Sequence, residues 1–278
     1  MTVPALDERQ KALKELAFRV LGDLERANIR CAGVFGTALG AARHGDMVPW
    51  DDDIDFAVLR EELPGALEAL RADPELFVWD WLSDPMDPTP LPKVLWRISP
   101  DDPPARRAAN MDVFVLEPQP AGALRRRFMA CLLLMVRLAI LWKLPTEAVR
   151  RAARARYAPV RWVARALCAP FKAATLKRFY ERIVAAAGRR TTGELWIPSD
   201  SPVFAILRTF RRGDFEQPAR LPFGDRELPV PRDVAGYLTT VYGDWRKLPP
   251  EEKRQPHAWG EDGKPRVMLP PNEARSRK

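Results

Sequence analysis

The chain has 278 residues, 46% of them apolar and 29% charged, with a net charge of +8. That is an ordinary globular composition, long enough to bury a full core as one large domain or as a domain with a sizeable insertion. Its three cysteines, Cys31, Cys131 and Cys168, are widely spaced, odd in number and in no CxxC pattern, which excludes a disulfide framework and a zinc site and suits a reducing cytoplasm.

In chain order, the polar start "MTVPALDERQKALKEL" predicts no secretory signal. Leu13, Leu16, Ala17, Val20, Leu21 and Leu24 recur at helical spacing and predict an amphipathic helix over about 7–28, with Asp7 as its N-cap. A short strand near "RCAGVF", a Gly36-Thr37 turn and a short helix through Arg43 follow. "IDFAVL" (54–59) reads as a strand and "EELPGALEALRA" as a helix with Pro64 near its start. "FVWDWL", "KVLWRI" and "MDVFVLE" (111–117) read as further strands, the last two separated by the proline-rich loop "SPDDPPARRAAN". No run of eighteen uncharged apolar residues occurs, so no segment is a comfortable transmembrane span.

Residues 123–182 change character. They hold fifteen Lys/Arg against Glu147 and Glu181, leaving thirty basic and thirty-five acidic residues elsewhere. "VAGYLTTVYGDW" is an aromatic, helix-like patch, and the end of the chain reads as disordered. The expected organisation is a core over 1–122, a basic, partly apolar helical insertion over 123–190, a part over 191–260 that completes the core, and a disordered tail over 261–278.

The stretch "GTALGAARHGDMVPWDDDIDF" (36–56) carries the chemistry. Strand alternation sends Asp51, Asp53 and Asp55 to one face and Asp52, Ile54 and Phe56 to the other. Same-face carboxylates would stand roughly 6–7 Å apart and repel by about 2–2.5 kcal/mol per pair. Such repulsion calls for a counter-ion or a protonated acid. A hard divalent cation, Mg²⁺ or Mn²⁺, answers it through oxygen ligands. An exposed acidic turn and a helix-capping cluster are the competing readings. An EF-hand is rejected, because its sixth position demands glycine and here holds Phe56. Upstream, Gly36-Thr37 opening a helix offers N–H groups and a hydroxyl to an anion, and Arg43 and His44 follow. A phosphate cradle beside a carboxylate-held metal is the layout of phosphoryl and nucleotidyl transfer.

This stretch closely resembles the signature of the LicD and fukutin-related family: Gly-Thr, Leu-Gly-Ala-x-Arg-His, then Pro-Trp-Asp-x-Asp-x-Asp. "MDVFVLE" resembles the family's later strand, with Val115-Leu116 and Glu117 where proline and aspartate are usual. "LPVPRDVAGYLTTVYGDWRKLPPEEKR" resembles its C-terminal block. The resemblance implies an α/β (α+β) nucleotidyltransferase core of the DNA-polymerase-β type, a mixed sheet flanked by helices. It further implies a transferase that moves a phospho-alcohol from a CDP-activated donor, such as CDP-choline or CDP-ribitol, to a hydroxyl of a cell-surface, capsular or lipopolysaccharide glycan. A phosphodiester forms and CMP leaves. Carried over by position, Asp53 and Asp55 would hold Mg²⁺, with Asp51 and Asp112 adding a ligand or a base. Gly36 and Thr37 would contact the diphosphate, and Arg43, with Lys93, would offset developing charge.

Plainer roles stand beside these. His44 suits a structural hydrogen bond as well as substrate contact, and Trp50 either stacks on a base or packs behind the acidic loop. Asp112 reads otherwise as a solvated strand end, Lys93 as an exposed lysine and Tyr242-Gly243-Asp244-Trp245 as a fold-closing turn. The insertion, with Arg125–Arg127, Arg137, Lys143, Tyr157, Trp162 and Phe171, suits an anionic membrane surface. A helical hairpin packed on the core and a nucleic-acid surface are its alternatives. The expected location is the cytoplasm, peripheral on the cytoplasmic face of a membrane. A nucleotidyltransferase for a small molecule or RNA, and a non-catalytic membrane-binding protein with a structural metal, are the other two function classes.

Overall fold

The computed structural model describes residues 5–143, 163, 166–200 and 205–256, apart from positions 83, 85, 86, 88, 100 and 190. The expected basic stretch with Tyr157 and Trp162, and the expected disordered tail over 261–278, lie outside the described residues. The fold is α/β, with a mixed sheet flanked by helices, and the chain divides into two compact units. One is Met1–Trp79, Lys93–Phe114 and Gly213–Lys278; the other is Asp80–Pro92 and Val115–Arg212.

The first unit begins with α1 (Leu6–Arg26), whose acidic first turn (Asp7, Glu8) and basic last turn (Arg26) both suit the helix dipole. Leu13, Leu16, Val20 and Leu24 are fully buried along one face, each contributing about 1.5–3 kcal/mol. β1 (Cys31–Gly33) pairs antiparallel with β2 (Asp55–Leu59), with α2 (Phe35–His44) between them in sequence. α3 (Leu63–Ala72) leads into β3 (Leu76–Trp79), which pairs antiparallel with β4 (Lys93–Trp96). α4 (Pro104–Ala108) precedes β5 (Asn110–Pro120). The strand order is β1-β2-β5-β4-β3, and antiparallel register sets Lys93 of β4 opposite Asp112 of β5.

The strand expected from Asp51 onward starts only at Asp55; residues 51–54 form no ladder. Side chains from α1 hold that segment instead. Arg9 Nε donates to the Asp52 carbonyl at 3.0 Å, and Gln10 Nε2 donates to the carbonyls of Val48 (3.1 Å) and Asp51 (2.8 Å). These side chains take the carbonyls that a strand partner would otherwise take, and only that of Ile54 accepts from β5, through the Asp112 N–H at 3.2 Å. The alternation argument therefore fails for 51–54.

From Ala123 to Trp196 the second unit places α5 (Ala123–Lys143), α6 (Ala173–Ala187) and β6 (Thr191–Trp196), followed by β7 (Phe210–Arg211). β6 pairs antiparallel with the later residues of β5, Glu117 opposite Trp196, and with β7. Leu133, Val136 and Ile140 of α5 are buried with Leu176, Tyr180 and Ile183 of α6, around Trp81 and Trp196. Arg137, which interrupts the apolar run of α5, donates to the carbonyls of Ser199 (2.9 Å) and Asp200 (3.1 Å). Buried Lys177 donates to the carbonyls of Trp81 (2.7 Å) and Asp84 (2.6 Å), and burial lowers its pKa. Among the described residues, no helix is long and apolar enough to cross a membrane.

The chain then returns to the first unit. After the short α7 (Arg212–Glu216), β8 (Ala219–Phe223) and β9 (Arg226–Val230) form a hairpin that the sequence reading did not anticipate. Its turn uses Gly224 at φ +69°, a conformation costly to any residue with a Cβ. β9 packs on β1 and β8 on α2. α8 (Val234–Tyr242) follows, capped by the Asp233 carboxylate accepting from the Gly236 N–H at 2.9 Å.

Candidate active site

The site forms where α2, the 45–55 segment and the end of α8 meet within the first unit. Phe35 opens α2 in a left-handed conformation, φ +47°, which is strained for a bulky side chain. Two contacts hold it there. Its N–H donates to the Tyr237 hydroxyl at 3.1 Å, and its ring packs edge-on against Phe114 at 4.9 Å. The sharp entry sets Gly36 directly against Asp51: a Cβ on Gly36 would collide with Asp51 Oδ2. Glycine is required here by close approach rather than by turn geometry. Thr37 is buried, and its hydroxyl accepts from the Asp55 N–H at 2.8 Å, fixing where β2 begins.

The acids separate into roles. Asp52 is buried and turned back towards Arg9, whose guanidinium lies 3.8 Å from its carboxylate. Asp51, Asp53 and Asp55 line a cleft of about 680 Å³. Burial, with the neighbouring charge of Asp53 next, pushes the Asp51 carboxyl up to about 8. Burial likewise holds Asp55 well above the usual carboxylate range, aided by Asp53, Asp112 and Asp51 and opposed by Lys93. The repulsion expected from the sequence is therefore present, although the strand geometry that predicted it is not.

The same cleft is lined by Gly36, Arg43 and Trp50 and, from the C-terminal block, by Tyr242, Asp244, Trp245 and Lys247. Arg43 Nη1 donates to the Trp245 carbonyl at 3.0 Å, and its Nε donates to His44 Nε2, also at 3.0 Å. Burial and the adjacent Arg43 charge lower the His44 pKa, which keeps that nitrogen an acceptor. The guanidinium carbons of Arg43 and Arg254 lie 6.0 and 5.6 Å from the centroid of the Trp50 ring, and His44 meets the ring edge-on at 6.2 Å. Trp50 thus lines the cleft and also packs, so its two sequence readings are compatible.

Lys93 and Asp112 form a pair of their own. Lys93 Nζ donates to Asp112 Oδ1 at 2.7 Å, with the lysine 3% exposed, and neither residue lines the cleft. Lys93 is accordingly not the exposed lysine of the plainer reading. Asp112 still acts electrostatically on Asp55. The sequence reading missed Phe35, Tyr237, Lys247 and Arg254 as individuals. The block containing the last three was flagged, but only the fold shows which of its side chains turn to the site.

Among the described residues, no three His, Cys, Asp or Glu side chains form a ready-made group around an ion position. The donor chemistry nevertheless fits a hard divalent cation. Asp51, Asp53 and Asp55 offer only carboxylate oxygens, and burial, with the neighbouring carboxylates next, makes two of them prone to protonation. Binding an ion would require these side chains to close on it.

Residues 28–84 match the family model for the LicD/FKTN/FKRP nucleotidyltransferase domain. Over 77 residues the chain is 43% identical to the ribitol 5-phosphate transferases FKRP of Mus musculus and of Homo sapiens, a match that covers 25% of this chain and 15% of each relative. The matched region contains the whole acidic segment, Gly36 and Arg43. The family-model match enters the second unit only over residues 80–84 and contains none of the C-terminal block that lines the far side of the cleft.

Proposed function

We propose that this chain, whose residues 28–84 match the LicD/FKTN/FKRP nucleotidyltransferase domain, is a LicD/fukutin-related enzyme that transfers a phospho-alcohol from a CDP-activated donor to a hydroxyl of a glycan. Ribitol 5-phosphate is the first candidate, taken from the names of its relatives; phosphocholine and glycerol phosphate are the next. The core that carries the reaction is of the nucleotidyltransferase type. The observation that carries this reading is one cleft lined at once by Gly36, Arg43 and three carboxylates.

In the reaction the acceptor oxygen bonds to the phosphorus bearing the alcohol, and the bond from that phosphorus to the bridging oxygen breaks. The electron pair leaves with CMP. The N-terminus of α2, at Gly36, receives the diphosphate. Thr37 contributes through position, holding Asp55 at the start of β2. Arg43, fixed by the Trp245 carbonyl and His44, faces the charge that builds on the bridging oxygen. Asp53 and Asp55 would hold Mg²⁺ or Mn²⁺, with Asp51 as a further ligand and Asp112, held by Lys93 outside the cleft, adding its charge behind Asp55. The metal would supply Lewis-acid neutralisation of the phosphates. Where it is not a ligand, Asp51, on the cleft wall against Gly36, would serve as the base that removes the acceptor proton. Trp50 and the Tyr242–Trp245 turn bound the space where cytidine sits.

The test is incubation with CDP-ribitol, CDP-choline and CDP-glycerol in Mg²⁺, following CMP. Release from at least one donor is expected, with Asp53→Ala and Asp55→Ala inactive. Pyrophosphate release from a nucleoside triphosphate, with the nucleotide retained on an acceptor and none of the CDP donors consumed, would overturn it in favour of nucleotidyl transfer.

A further inference from the structure

The second unit has a cavity of its own, of about 390 Å³, along α6. Buried Leu176 lines it together with the rings of Phe171 and Phe179, which are 48% and 44% exposed. Cys168 and Thr175 add two weakly polar groups, and none of the described lining residues is acidic. Arg178 and Arg182 complete the lining. They stand one turn apart on α6, both exposed, and neither forms an ion pair with any described residue. Other cations of this unit are engaged by its own backbone. Arg125 donates to the Ala186 carbonyl at 2.8 Å, Lys143 to that of Ala169 at 3.0 Å, and Arg137 and Lys177 as described above. Arg178 and Arg182 have no such duty.

Each part of this lining selects a different part of a ligand. The size is that of a small-molecule pocket rather than of a seat for a folded partner. Phenylalanine and leucine walls favour hydrocarbon. A peptide would bring N–H and C=O groups that such walls leave unpaired. Two guanidinium forks at i and i+4 converge on one anionic head, and a terminal phosphate has oxygens enough to accept from both. We propose that the cavity binds a single hydrocarbon chain ending in phosphate. The chain lies against Phe171, Leu176 and Phe179, and the phosphate accepts from Arg178 and Arg182. This binding needs nothing from the transfer chemistry, so failure of one leaves the other standing.

The three cysteines supply the test. Cys168 lines the cavity, Cys131 is exposed on α5 outside its lining, and Cys31 is buried in the first unit. The full-length protein is alkylated with N-ethylmaleimide in dodecyl phosphate below its micelle concentration, in dodecanol or in inorganic phosphate, and each thiol is followed by peptide mass spectrometry. Dodecyl phosphate is expected to slow alkylation of Cys168 alone, with Cys131 unchanged and Cys31 unreactive; inorganic phosphate should not protect. Arg178→Gln/Arg182→Gln, whose folding is checked by its melting curve, should raise the concentration for half-protection by about tenfold or more. Vesicles of phosphatidylcholine with phosphatidic acid distinguish the source. Protection by them as well assigns the chain to a bilayer lipid, and protection by dodecyl phosphate alone assigns it to a free amphiphile. No protection by dodecyl phosphate, equal protection by dodecanol, undiminished protection in the double variant, or Cys31 becoming reactive alongside overturns the proposal.

Discussion

The hydroxyl of Tyr237 accepts the backbone N–H of Phe35 at 3.1 Å, across 202 residues of sequence. Phe35 sits at φ +47°, and this bond is one of the few contacts that hold it there. Tyr237→Phe keeps the ring that packs against Phe215 at 6.1 Å but removes the acceptor. It is expected to cost about 1–3 kcal/mol in urea unfolding. Its CMP release should also fall, because the entry of α2 relaxes away from the acids.

Gly36→Ala separates the site from the fold. The new Cβ meets only the end of the Asp51 side chain, so the carboxylate is displaced while the backbone stays. A shift of that size at a reacting centre costs about a hundredfold in rate. The melting temperature should move by no more than a few degrees. Parallel assays of CMP release and thermal unfolding distinguish the two.

Divalent cations are expected to stabilise the protein by relieving the repulsion among Asp51, Asp53 and Asp55. At a hundredfold excess over the dissociation constant, Mg²⁺ or Mn²⁺ should add about 2.7 kcal/mol. Differential scanning calorimetry with and without the ion checks this. Asp53→Asn and Asp55→Asn should each flatten the response, and a response in both variants as large as the native protein's would remove these residues from the metal site.

Asp73 sets an acid limit on stability away from the site. Its carboxylate accepts from Arg19 Nε at 2.5 Å and from the Glu75 N–H at 2.8 Å, and the Arg19 bond is the main cause holding its pKa below the usual carboxylate range. A depressed folded value means that stability is gained above the unfolded pKa, about 3.9, and lost as pH falls through the folded one. Asp23 works against it, since burial, with Asp73 next, raises its pKa. Asp73→Asn relieves that repulsion as it breaks the ion pair, so the net loss at pH 7 should be near 1 kcal/mol. Denaturant titrations at pH 7 and pH 3 should show the gap between variant and native protein closing on acidification.

The acidic part of the cleft was legible in the sequence because its signal is local. Gly36, Arg43 and the aspartates stand within twenty residues, and their chemistry is carried by residue type and spacing. The strand register assigned to 51–54 was not legible, because what holds that segment is Arg9 and Gln10 on a helix some forty positions earlier. Lys93 and Asp112 each looked ambiguous alone; antiparallel register between β4 and β5 makes them a pair. Arg254 over Trp50 and Tyr237 under Phe35 depend on contacts about two hundred residues apart, which no periodicity encodes. The β8–β9 hairpin was hidden by its prolines, Pro222 and Pro229, which sit on a two-stranded ribbon where unpaired edges tolerate them.

Because the last part of the first unit begins only at Gly213, the ribosome delivers the two walls of the cleft far apart in time. At about 5–20 residues per second, Tyr237 emerges roughly 10–40 s after Asp55. Throughout that interval the nascent chain carries a cluster of aspartates with no far wall and a Phe35 backbone with no Tyr237 to anchor it. The second unit, whose helices and strands lie entirely within that gap, has time to fold first. Assembly of the cleft is therefore a late event, and pulse-chase proteolysis of stalled chains should find α5, α6 and β6 of the second unit protected before any residue of the cleft.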